Sequence, residues 1–171
     1  MIKINRTAAS CFVLLLLLPS GLLGGEAQNA FSEGVKLYRA SKYKDAVAAF
    51  TRAIKAAPKS DEAYNNRGLA HFKLGQNDNA VKDYDEALKL NPKMTDAYFN
   101  RGNVHLAQKQ YDRAIKDYDE VLRLSPGNLA ALNGRGIAWA RKRDHERAIA
   151  ATARSRRRFS MPGCRRPGWQ N

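Results

Sequence analysis

Between residues 27 and 150, apolar and small residues return every three or four positions within short stretches, and the stretches return every 34 residues. From Asp61 to Lys73, Tyr64, Gly68, His71 and Phe72 have the spacing of a helix face, and from Asn79 to Leu90, Ala80, Tyr84, Ala87 and Leu88 have it again. Leu74-Gly75-Gln76 between them predicts a turn. Asn91-Pro92-Lys93 predicts the end of the second helix, because proline cannot continue the hydrogen-bond ladder. Thr95 then stands where its hydroxyl would cap the next helix. Each unit therefore reads as a pair of helices.

The register holds along the chain. Gly34, Gly68, Gly102 and Gly136 recur at intervals of 34, as do Ala46, Ala80, Ala114 and Ala148. Phe50, Tyr84 and Tyr118 keep the same spacing, with Ala53, Ala87 and Val121 and with Pro58, Pro92 and Pro126 behind them. Lys82-Asp83-Tyr84-Asp85-Glu86 returns as Lys116-Asp117-Tyr118-Asp119-Glu120, and Asn66-Arg67-Gly68 as Asn100-Arg101-Gly102. A glycine inside a helix costs about 1 kcal/mol relative to alanine, so four in register imply a packing reason. The reading is that glycine facing a small alanine lets two antiparallel helices approach, the aromatic filling the space beyond. The fold expected is an all-α solenoid of helix pairs, each unit burying its apolar face on the next. Its units are residues 28–60, 61–94 and 95–128, with a partial fourth at 129–150.

These glycine, alanine, aromatic and proline marks resemble the tetratricopeptide repeat, over about residues 27 to 150. The first unit departs from the pattern at Ala30 and Leu37, and the Asn-Arg-Gly form is similar to bacterial members of the family. The resemblance implies a right-handed superhelix of about 3.5 repeats. It also implies a non-enzymatic scaffold whose concave groove takes a peptide or protein segment. The first helix of each pair would line that groove. The candidates are Phe31, Val35, Tyr38 and Arg39; Asn65, Asn66, Leu69, Phe72 and Lys73; Phe99, Asn100 and Asn103; and Asn133, Ile137 and Arg141. Asparagine side chains can hold a peptide's backbone amides, and Phe72 and Phe99 would offer apolar pockets. The family's clamp for acidic C-terminal chaperone tails needs Lys and Asn on the first pair, Asn on the second, and Lys and Arg on the third. This chain has Phe31, Val35, Asn66, Asp96 and Asn100 there, so the resemblance does not extend to that clamp. It names no partner, because the fold serves many.

Charge adds less than its total suggests. The formal net charge is +14, yet residues 27–128 carry 17 Lys/Arg against 13 Asp/Glu, whereas residues 129–171 carry 11 against 2. The basic excess lies toward the end of the chain. After Ala150 there is no acidic residue, and the aromatic and proline expected at 152 and 160 are Thr152 and Ser160. Three readings of residues 151–171 stand beside one another: a basic tail for polyanions or nucleic acid through Arg154–Arg158, Arg165 and Arg166, an Arg-rich helical cap, or out-of-frame translation of a longer repeat gene. Residues 145–171 are expected to fray. At the other end, Lys3 and Arg6 precede the apolar run Cys11–Leu18, which Pro19, Ser20 and Gly21 break before the small residues Gly25 and Ala27. This predicts a secretory leader over 1–27, cut after Ala27, and a periplasmic or secreted protein. An uncleaved membrane anchor is the alternative. The processed chain would keep only Cys164 and so form no internal disulfide.

Candidate chemistry is sparse. Arg67, Arg101 and Arg135 each precede a repeat glycine, either as a guanidinium row for an anionic partner or, the reading favoured here, paired with acidic residues of neighbouring helices. His71 and His105 lack the converging ligands of a zinc site and read as packing between successive first helices. Asp83, Asp85 and Glu86, with Asp117, Asp119 and Glu120, read as a solvated convex side without the glycine of a calcium loop. No nucleophile with a base, phosphate-cradling loop or paired catalytic acid emerges, and no cofactor is expected.

Overall fold

The computed structural model describes residues 20–159. Seven helices and no strand occur among them: α1 Ser20–Arg39, α2 Tyr43–Ala56, α3 Asp61–Lys73, α4 Asn77–Leu90, α5 Thr95–Ala107, α6 Tyr111–Leu124 and α7 Leu129–Phe159. Helices α1 to α6 form three antiparallel hairpins, and α7 lies on the third, which gives the expected three and a half units. Residues 1–19 of the expected leader and residues 160–171 of the expected tail lie outside the described residues, and the expected cleavage point, Ala27, falls within α1.

The hairpin turns share one closure. The N–H of Lys42, Gln76 and Gln110 returns to the carbonyl of Leu37, His71 and His105, at 2.9, 2.9 and 2.8 Å. The residue before each adopts a left-handed backbone: Ser41, Gly75 and Lys109, with φ of 59°, 74° and 61°. Only Gly75 takes that conformation without a side-chain penalty. Ser60 caps α3, its Oγ accepting from the Ala63 N–H at 3.2 Å, and Asn128 caps α7, its Oδ1 accepting from Ala131 at 3.0 Å. Both stand 34 residues from Met94, so Thr95 is the first helical residue of α5 and not its cap, contrary to the sequence expectation.

Ala46, Ala80 and Ala114 are fully buried, as are Phe50, Tyr84 and Tyr118. The space above each repeat glycine belongs to the aromatic ring itself. A Cβ added at Gly34 would lie 2.6 Å from Phe50, at Gly68 2.7 Å from Tyr84, and at Gly102 3.0 Å from Tyr118. The glycine thus admits the ring of its own unit, which corrects the simpler pairing of glycine with alanine.

The two tyrosines end differently. Tyr118 donates its hydroxyl to Asn103 Oδ1 at 2.8 Å, whereas the Tyr84 hydroxyl is buried without a partner, because the residue 34 positions before Asn103 is Leu69. A buried unpaired hydroxyl costs about 1–3 kcal/mol. Tyr84→Phe is therefore expected to stabilise the protein by about 1 kcal/mol and Tyr118→Phe to destabilise it by about as much. Urea unfolding of the two variants checks the opposite signs, and a loss in both would contradict the account.

Helix α7 departs from the repeat. It uses Ala131, Gly134 and Ala138 against α6, and a Cβ at Gly134 would lie 2.8 Å from the Tyr118 ring. Gly136, the glycine in register with Gly34, Gly68 and Gly102, has nothing within 4 Å of such a Cβ. No turn follows at Arg143, where the register of Ser41, Gly75 and Lys109 would put one, and the helix runs unbroken to Phe159. Residues 145–159, where fraying was expected, continue the helix, in a stretch rich in alanine and arginine that holds neither proline nor glycine.

Candidate functional site

Successive odd-numbered helices touch one another, α1 with α3, α3 with α5 and α5 with α7, whereas among the described residues successive even-numbered helices do not. A stack whose helices meet in one layer and separate in the other bends around the first, so the odd helices form the inner surface. The sequence candidates all belong to that layer.

Their surroundings differ. Asn65 is buried, at 6 % exposure, and its Oδ1 accepts from Asn100 Nδ2 at 3.1 Å, tying α3 to α5. Asn65 is thus a structural amide rather than a free one. Asn66 donates to the Glu62 carbonyl one turn back at 2.8 Å and keeps its own oxygen available. Asn103 gives its oxygen to Tyr118 and keeps its amide N–H groups. Phe31 and Phe99 rest tilted on Phe50 and Tyr118, with ring centroids 5.7 and 5.9 Å apart. Phe72 packs on the Ala80, Tyr84 and Val104 cluster. These aromatics, with Val35, Tyr38 and Leu69, are half-buried: one side serves the core and the other reaches the surface. Arg39, Lys73, Asn133, Ile137 and Arg141 are exposed. The surface is therefore apolar at its floor, amide-bearing beside it and basic at its edge.

Of the six acidic residues read as solvated, Asp85, Glu86, Asp119 and Glu120 are accessible, and two are not. Asp83 and Asp117 are buried, at 5 % and 4 % exposure, and do not lie on a solvated side. Arg67 grips Asp83 with two nitrogens, at 2.6 and 2.9 Å, and reaches Thr51 of the previous unit at 3.2 Å. Arg101 grips Asp117 at 2.6 Å and reaches Asp85 of the previous unit, also at 2.6 Å. Among the described residues Arg135 meets Asp119 alone, at 2.7 Å. Each arginine thus clamps its own unit's second helix, the preceding unit's, or both, as the pairing reading of the ladder held. Burial opposes the charge of Arg101, but hydrogen bonds and charge from Asp117 and then Asp85 hold its pKa above the ordinary range. The recurrence of arginine with aspartate sixteen positions on was the signal in the sequence.

The histidines join this network within their own units. His71 Nδ1 lies 2.6 Å from Gln76 Oε1 and its Nε2 3.7 Å from Asp83, and His105 lies 3.0 Å from Gln110 and 3.7 Å from Asp117. Burial lowers the His105 pKa against the upward pull of Asp117. Among the described residues no group of three or more His, Cys, Asp or Glu is placed to hold a metal ion, and no helix is long and apolar enough to cross a membrane.

A tetratricopeptide repeat family model matches residues 31–95, 65–128 and 99–160. No curated protein matches the chain. Among solved structures, it is similar to the first such domain of Spaghetti (RPAP3) bound to the HSP90 peptide SRMEEVD, at 33 % identity and a TM-score of 0.65, over 68 % of this chain and 93 % of that one. It is similar to the first domain of human RPAP3, at 30 % identity and a TM-score of 0.69, over 71 % and 96 %. The TPR2B domain of yeast Sti1, in a complex with an Hsp70 peptide, is 25 % identical with a TM-score of 0.63, over 70 % and 98 %.

Proposed function

This chain belongs to the tetratricopeptide repeat family, and from that we propose that it is a protein-interaction scaffold whose inner surface takes an extended segment of a partner protein. The carrying observation is the layer of half-buried Phe31, Val35, Leu69, Phe72 and Phe99 beside the amides of Asn66 and Asn103. Apolar side chains of the segment rest on the first set, and its backbone groups meet the second. The relatives bound to HSP90 and Hsp70 peptides support a peptide as the ligand class.

The ligand differs from theirs in charge. SRMEEVD ends in three carboxylate side chains and a terminal carboxylate. At the five positions of the clamp this chain offers Phe31, Val35, Asn66, Asp96 and Asn100, which are four uncharged side chains and a carboxylate. A charge-assisted hydrogen bond contributes about 1.5–3 kcal/mol, so losing two removes a hundredfold or more in affinity, roughly. The segment preferred here is neutral and apolar. The leader-like pattern of residues 1–27 supports a periplasmic or secreted scaffold over a membrane-anchored one, which N-terminal sequencing of exported protein would check.

Selection from a displayed random-peptide library tests the reading. The expected result is a set of neutral, apolar-rich binders that weaken about tenfold or more on the double change Asn66→Ala with Leu69→Ala, while SRMEEVD fails to saturate below about 1 mM. Binders indifferent to that change, in a variant with unaltered helicity, would remove the groove from consideration.

A further inference from the structure

Helices α3 and α5 each have two packed faces. One, through Ala63 and Ala70 or Ala97 and Val104, meets the preceding unit; the other, through Gly68 and Gly102, receives the ring of its own second helix. Helix α7 keeps both faces in the same register and, among the described residues, fills only the first, through the buried Ala131 and Ala138. On the second, Leu132 is 41 % exposed, Trp139 is 53 % exposed, and the space above Gly136 is open. Beside it stands Arg135. Its counterpart Arg101 holds carboxylates from two helices, Asp85 and Asp117, whereas Arg135 holds one, Asp119. An aromatic seat and a carboxylate site therefore lie side by side without their usual occupant.

We propose that this face of α7 docks an acidic amphipathic helix of a partner protein, its aromatic ring over Gly136 and the aspartate preceding that ring on Arg135. The chain's own α4 and α6 show the chemistry, since Asp83-Tyr84 and Asp117-Tyr118 fill the equivalent places over Gly68 and Gly102. Charge selects the occupant. Arg135 and Lys142 of α7 are paired with Asp119 and Asp112 of α6. Beyond those pairs the helix carries Arg141, Arg143 and Arg147 against Asp144 and Glu146, followed by Arg154, Arg156, Arg157 and Arg158 with no acidic residue among them. It therefore attracts acidic segments and repels a second copy of itself. In a folded copy, moreover, Tyr84 and Tyr118 are fully buried and cannot be presented. The surface is distinct from the groove positions Asn66 and Leu69, so either reading can fail alone.

The test uses the full chain and a fluorescein-labelled peptide of the α4 sequence, Asn77–Leu90. A lactam between Lys82 and Glu86 keeps the peptide helical, because a helix this short is marginal alone. The expected result is saturable binding with a blue shift in tryptophan emission that persists in a Trp169→Phe chain and so reports Trp139. That binding is weakened about tenfold or more by Tyr84→Ala in the peptide and by Gly136→Leu in the protein. Gly136→Leu projects into open space and leaves the helical signal unchanged. No saturable binding, or equal binding by the altered pair, overturns the proposal. So does light scattering that finds a dimer of the chain dispersed by Gly136→Leu, which would show a second copy on this face.

Discussion

Arg101→Ala is expected to lower the free energy of unfolding by about 3–5 kcal/mol, because it leaves a buried carboxylate without its cation. The Asp117 side chain is 6 % exposed, and Arg101 meets it with Nη2 at 2.6 Å and Nε at 3.1 Å. The same guanidinium reaches Asp85 at 2.6 Å and lies 5.5 Å from the Tyr98 ring centre, so one side chain joins α4, α5 and α6. Lysine cannot replace it: an ammonium lacks the planar fork that addresses two carboxylates at once. The comparison is Arg135→Ala. Arg135 and Asp119 are 36 % and 52 % exposed, and such a surface pair contributes about 0–1 kcal/mol. Urea unfolding of both variants measures the difference. Equal losses would mean that position in the repeat, and not burial of Asp117, sets the value of the pair.

The fold was legible because the spacing of small and aromatic residues is itself the packing instruction. Gly68 and Tyr84 are sixteen residues apart in sequence because they meet across one hairpin, and the same interval places Arg67 on Asp83. The buried state of Asp83 and Asp117 was not legible from composition, since Asp83 and Asp85 differ by two positions on one helix and a turn of about 200° separates burial from solvent. Their arginine partners carried the signal, but only when read together with the glycine register. The groove candidates were legible as a layer and not one by one. Asn65 and Asn66 are adjacent, yet one lies inside the stack and the other at its surface. Register also misled at α7, where Gly136 continued the pattern although the position sixteen residues on is Thr152 and not an aromatic, while Tyr118, already over Gly102, meets Gly134 as well. A repeat register reports what a position meets only while the partner helix is present.

That distinction gives the same residue type opposite effects at two places in one register. Gly68→Val is expected to destabilise the protein by about 3 kcal/mol, the upper end for overpacking a well-filled core. A Cβ there would lie 2.7 Å from Tyr84 Cε1 and 3.0 Å from Cδ1, and the ring has no room to retreat, being fully buried. Valine adds two further methyl carbons and a side chain stiff at χ1. The gain of about 1 kcal/mol from removing a helical glycine does not offset this. Gly136→Ala meets no atom within 4 Å and should keep that gain, raising stability by about 0.5–1 kcal/mol. Thermal unfolding of the two variants separates the cases, with Gly68→Val expected to melt roughly 10 °C or more below the parent and Gly136→Ala slightly above it. If Gly68→Val melted with the parent, the ring of Tyr84 would not be seated on that glycine, and the packing reason for every repeat glycine in the chain would be lost with it.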